Sequence, residues 1–221
     1  MQFPNAEKGI KKIFASAVLE IIGAAGMVIS AFITLVIAAM IEQGSVGEDS
    51  VTGLIGLIGI IGLAVSLILT LIAKILSIVG YAQASKDEGS FKIAISVSIA
   101  IIAVGILYLI FYNHEVLSNI ISQIMDLLSL IVVIYVIQGI INLAEAIGDA
   151  KIIKRGKTLF ILITILYGLT CVSNLIAAIF KDETASIIAS SISLVAELFG
   201  TIQLIIYIVF LGKAKKMLKN N

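Results

Sequence analysis

Residues 53–62 read Gly53-Leu-Ile-Gly56-Leu-Ile-Gly59-Ile-Ile-Gly62, a glycine at every third position of an otherwise aliphatic run. In water each such glycine costs a helix about 1 kcal/mol relative to alanine. In lipid the balance changes. Hydrocarbon tails are as apolar as leucine, so close packing draws helices together, and small residues permit it. Positions three apart fall about 60° short of a full turn, so the four glycines wind along one i±3 row. Removing side chains from such a row turns a packing ridge into a trench that a second helix can occupy. Gly62, Ser66 and Thr70 continue the small residues at four-residue spacing, and Gly26-Met-Val-Ile-Ser30 offers a similar face earlier in the chain. Two readings follow: Gly53, Gly56, Gly59 and Gly62 pack the first apolar segment against the second, or they loosen the outer half of the second as a gate.

Composition decides the solvent. The chain has 221 residues, of which 60% are hydrophobic and only 13% charged, and its mean hydropathy is +1.18. Soluble domains carry about 25% charged residues. Apolar runs of about 18 residues or more, the length of a membrane span, recur between short polar breaks such as Ser85-Lys-Asp-Glu-Gly-Ser90 and Lys181-Asp-Glu-Thr184. The breaks leave six apolar segments, about 12–41, 52–84, 91–112, 117–149, 157–180 and 185–218. Only helices or closed barrels satisfy backbone groups in hydrocarbon, and these segments lack strand alternation and exceed barrel-strand length. The expected fold is all-α: a six-transmembrane-helix bundle forming a single integral membrane domain over residues 1–221. The first run, Ile13 to Ile41, is too long for a signal-peptide core and reads as an uncleaved span.

Thirteen of the 15 Lys and Arg fall before or at the start of the first segment, in or beside the second and fourth breaks, or at the end of the sixth segment. Six spans put all of these on one side, and the positive-inside rule makes that side cytoplasmic, with both termini. The exceptions are Lys181 and the intrasegment Lys74. Tyr81-Ala-Gln-Ala84, Leu143-Ala-Glu-Ala146 and Leu211-Gly-Lys-Ala214 fall into register, and glycines beside lysines open the odd segments. This pattern suggests one helical hairpin present three times about an axis normal to the membrane. Mitochondrial carriers also consist of three hairpins, but their odd helices carry a Pro-x-acidic-x-x-basic motif, and the only proline here is Pro4.

Ionisable groups within hydrocarbon are costly and mark candidate sites. Glu20 lies eight residues inside Lys12, and Lys74 seven before Tyr81. Both are therefore roughly 10–12 Å deep from the same face. They are expected to pair, unless Lys74 snorkels to the headgroups. Gln203 and Tyr135 reach nearly the same depth, with Gln138 and Asn142 shallower. Glu197 lies about 21 Å deep with no basic residue of the apolar segments at its level, and only Lys181 to reach down from the outer break. It is either a neutral carboxyl bonded to a neighbouring helix or a proton or cation site, with Asn174, Ser193, Thr201 and Asp126 in the same outer half.

Catalysis finds no support. Cys171 and His114 are each single and distant from one another, so no intrachain disulfide, Cys-based zinc site or nucleophile–base pair is expected. No phosphate loop, His-Glu-x-x-His or Gly-x-Ser-x-Gly is present, so neither cofactor nor metal is expected, and a net charge of +1 gives no reason to expect nucleic acid. Transport or conduction of a small solute or ion is the leading expectation, resting on Glu20, Lys74 and Glu197. The alternative is a non-catalytic binding, scaffold or immunity-type subunit acting through a second copy or a partner membrane protein. Six-span substrate-binding subunits of energy-coupling-factor vitamin transporters are similar in size and span count alone. The Ile- and Lys-rich composition suggests an AT-rich bacterium, and thus its plasma membrane.

Overall fold

A computed structural model describes residues 2–42, 50–179 and 183–220; the side chains at 41–55, 115, 171–190, 192–199 and 201 lie outside the description. Six helices make up nearly all of the described residues: α1 (Pro4–Glu42), α2 (Ser50–Ala84), α3 (Ser90–Ile110), α4 (Glu115–Ile147), α5 (Ala150–Ile179) and α6 (Glu183–Lys219). Stretches of four of them, Pro4–Met40, Gly56–Ala84, Ser90–Ile110 and Val116–Ile147, are long and apolar enough to cross a membrane. The 21 residues of α3 give a length of about 31 Å at ~1.5 Å per residue, close to the hydrocarbon thickness of a bilayer. Its two ends are polar in different ways. Lys92 lies in its first turn, while Tyr108 and Tyr112 meet edge-to-face at 6.0 Å around its far end. Amphipathic rings of this kind suit a membrane–water interface.

The chain divides into two compact units, residues 12–79 and residues 1–11 with 80–221. In the larger unit, successive helices pack antiparallel: α3 on α4, α4 on α5, α5 on α6. Its buried core gathers at one end, where Ile10, Ala84, Phe91, Ile137, Ile140, Leu143 and Leu211 are all inaccessible or nearly so. At the far end Leu109, Ile110 and Val116 are each more than 60% exposed, and water is a poor solvent for such surfaces. The described Lys and Arg of this unit all lie at the buried-core end, on or beside the connections 85–89 and 148–149 and near the termini.

Local chemistry explains the helix ends. Pro4 opens α1, a position where its missing N–H is harmless and its fixed φ already helical. The carboxylate of Asp87, in the connection between α2 and α3, then caps α1 from a distance in sequence: Ala6 N–H donates to Oδ2 at 2.7 Å and Asn5 Nδ2 donates to Oδ1 at 2.9 Å. Here α1 touches α2 closely enough that a Cβ on Gly9 would stand 2.5 Å from the Gly80 carbonyl oxygen and 2.6 Å from the Ala84 nitrogen. Between α4 and α5, Gly148 takes φ +85°, a left-handed helix cap. Asp149 Oδ1 accepts the N–H groups of Lys151 and Ile152 at 3.0 and 3.1 Å, starting the next helix at once.

These caps account for the differences from the hydropathy boundaries. Helix α1 begins eight residues before the apolar segment at 12, and α5 seven before the one at 157. Hydropathy marks where lipid begins, whereas capping marks where the helix begins.

Candidate functional site

The smaller unit holds the most unusual polar arrangement. A Cβ on Gly23 would meet Thr70 Oγ1 at 2.7 Å, one on Gly59 would meet Thr34 Oγ1 at 2.6 Å, and those on Gly26 and Gly62 would run into the hydroxyls of Ser66 and Ser30. The contacts form a ladder between antiparallel α1 and α2: Thr34–Gly59, Ser30–Gly62, Gly26–Ser66, Gly23–Thr70. Each helix contributes the same pattern, Gly-x-x-Gly-x-x-x-Ser-x-x-x-Thr, at residues 23–34 on α1 and 59–70 on α2. Every glycine therefore receives a hydroxyl residue from the opposite helix. Its period, 11 residues in three turns, keeps a stripe facing a partner with a slight right-handed drift, the hand of many small-residue membrane crossings.

The threonine hydroxyls are satisfied without leaving the helix. Thr34 Oγ1 donates to the Ser30 carbonyl at 2.9 Å and Thr70 Oγ1 to the Ser66 carbonyl at 3.0 Å, the back-bonding by which helices in apolar surroundings absorb threonine. Ser30 and Ser66 are buried. One rung further, Lys74 Nζ lies 2.6 Å from Glu20 Oε1, with the two side chains 58% and 47% exposed. The ladder thus ends in an ion pair at one end only. The equivalent position to Glu20 on α2 is Gly56, where an added Cβ would meet nothing within 4 Å. Gly59 and Gly62 line the trench, Gly56 does not, and the side-chain position of Gly53 lies outside the described residues.

The remaining expected residues separate. Tyr135 on α4 and Gln203 on α6 are both half-buried in the larger unit, and no described hydrogen bond joins them. Glu197, Asn174, Ser193 and Thr201 lie on α6 and α5 with side chains outside the described residues. Gln138 and Asn142 serve a different cluster. Gln138 Nε2 donates to Asn142 Oδ1 at 2.8 Å, and Asn142 Nδ2 donates to Glu88 Oε1 at 2.9 Å. The N–H and hydroxyl of Ser90 reach the same oxygen at 3.1 and 2.8 Å. Burial pushes the Glu88 carboxyl up, but these donors together outweigh it and hold Glu88 below its ordinary value.

Asp87 and Glu88 are the polar residues that reading the segment as a simple break passed over. An acidic side chain adjoining a helix N-terminus is a capping signal, and Glu88 before Ser90 carries it, whereas Asp87 caps the distant α1 instead. The full α1–α2 pattern was also readable, as a match at an offset of 36 residues. Among the described residues no cluster of His, Cys, Asp and Glu could hold a metal ion. Compared with known proteins, the chain matches no family model, no curated protein and no solved structure.

Proposed function

We propose that the chain is a six-span integral membrane protein acting as a non-catalytic binding or scaffold subunit, with the α1–α2 ladder as its rigid recognition element. One observation carries the reading: the described polar groups of α1 and α2 inside the apolar stretch are spent on packing. The threonine hydroxyls bond their own helices, the serines are buried against glycines, and Glu20 neutralises Lys74. A conduction path instead needs polar groups with unspent coordination along an open route. The ion pair remains half-exposed, and an exposed charge pair in hydrocarbon favours a protein cover. A second copy of this chain or a partner membrane protein supplies it.

In this reading α5 and α6 also span, the three hairpins share one orientation, and both termini lie on the cytoplasmic side of a bacterial plasma membrane. The gathering of Lys and Arg at one end of the larger unit supports that orientation. Transport of a small solute or ion is the second reading. It is favoured by the half-exposure of Glu20 and Lys74, which leaves them open to water as well as to protein.

Two measurements separate the readings. Purified protein in native nanodiscs is expected to run heavier than its 23.4 kDa chain allows for a monomer, and Glu20→Gln is expected to reduce that association. Ion or proton flux into proteoliposomes above empty vesicles, abolished by Glu20→Gln, overturns the scaffold reading in favour of transport.

A further inference from the structure

The third and fourth basic clusters of the sequence, at 151–157 and 213–219, converge on one groove. Helices α5 and α6 run antiparallel, so the opening turns of α5 face the closing turns of α6. Between them lies a groove of about 480 Å³, within the size range of small-molecule sites. At one end it is lined by Lys151, Lys154, Arg155 and Lys213, and beyond Thr158 by residues such as Leu162 and Ile206. All four cations are exposed, and among the described residues none of them forms an ion pair. The neighbouring carboxylate, Asp149, is occupied in capping α5. The positive end of the α5 dipole adds to the same field.

We infer that this groove binds one anionic phospholipid, with its phosphodiester among the four cations and its acyl chains along the apolar wall. The polarity of the groove selects a lipid over a free anion. Leu162 lies eight residues beyond Lys154, and Ile206 seven before Lys213, so the apolar wall continues for roughly 10–12 Å. An inorganic phosphate has no use for that wall, whereas a diacyl lipid covers it. Basic pockets between membrane helices are the usual form of such recognition. The second groove, between α4 and α5, carries Glu145 beside Lys157 and lacks this one-sided charge. The site rests on the chain lying in a bilayer, and not on the scaffold role.

The test uses the full chain in uncharged detergent, titrated with phosphatidylglycerol or phosphatidylcholine, with retained lipid read by native mass spectrometry. One phosphatidylglycerol is expected to stay bound where phosphatidylcholine does not, and equimolar inorganic phosphate is not expected to displace it. Lys154→Gln and Lys213→Gln, one from each helix, are each expected to weaken retention about fivefold, the equivalent of ~1 kcal/mol per cation. Lys86→Gln and Lys92→Gln, at the same end but off the groove, are expected to leave it unchanged. Equal losses in all four variants mean diffuse attraction and overturn the site. Equal retention of the two lipids overturns it too, and displacement by phosphate makes it a free-anion site. The wild-type comparison needs no variant, so it decides even if a substitution misfolds. Flux and nanodisc mass are read on separate samples, which keeps failure here distinct from failure of the scaffold reading.

Discussion

The ladder between α1 and α2 makes a demanding prediction about exchanging its parts. Gly62→Ser places a Cβ against the Ser30 hydroxyl and 3.2 Å from the Ser30 Cβ, with a second hydroxyl to house besides. Overpacking of this size costs about 1–3 kcal/mol, a shift of roughly 5- to 150-fold in the unfolding equilibrium. Ser30→Gly alone removes a buried side chain and adds a helix glycine, for a cost of about 1 kcal/mol. The double variant Gly62→Ser with Ser30→Gly restores one glycine and one serine to the rung, on opposite helices. It is expected to recover most of the loss and to be more stable than Gly62→Ser alone. The assay is unfolding in mixed micelles at rising dodecyl sulfate, followed by energy transfer between dyes on cysteines introduced at the exposed Ile22 and Ile72 in a Cys171→Ser background. A double variant no more stable than Gly62→Ser would refute the claim that complementary rungs hold these helices together.

Other consequences follow from the same geometry. Gly56→Ala, in open space, is expected to leave the dodecyl sulfate midpoint unchanged or raised, whereas Gly9→Ala, opposed by rigid backbone atoms of α2, is expected to lower it. Glu20→Gln strands Lys74 in hydrocarbon at a cost of up to about 2.5–3.5 kcal/mol, and adding Lys74→Gln is expected to return most of that in the same titration. Asp87→Ala removes the cap of α1 and is expected to cost about 0.5–2 kcal/mol, seen as faster hydrogen exchange at residues 5–10 with α4 unaffected. The depressed Glu88 carboxyl stabilises the larger unit fully above the ordinary glutamate range. That stabilisation is lost as pH falls through its lowered value, so Asn142→Leu is expected to flatten the acid limb of a stability–pH curve.

Much of this architecture was legible in the residues because lipid imposes simple rules. Long apolar runs separated by charged breaks can be little else than helices, and each of the six helices overlaps one of the six segments. The pairing of Glu20 with Lys74 follows from counting residues along two adjacent antiparallel segments. What hydropathy could not show is where polar side chains bond once the chain folds back on itself. Depth groups Asn142 and Gln138 with the buried charges, yet Asn142 bonds Glu88 in a connection and Gln138 bonds Asn142. Asp87 reaches α1 across 81 residues of sequence, a contact that no local pattern encodes. The i±3 glycine row at 53–62 was the most conspicuous signal, but the helices meet along Gly59, Gly62, Ser66 and Thr70, because a close antiparallel partner follows a stripe of about 3.7 residues per turn.

Because α1 and α2 present the same rungs in opposite senses, turning the hairpin upside down would exchange the two helices and leave the ladder as it was. Packing between them therefore carries no information about which way up the hairpin sits. That choice falls to what breaks the symmetry: the Glu20–Lys74 pair and the basic residues flanking it. A lone helix bearing this stripe would have an inverted copy of itself as a ready mate.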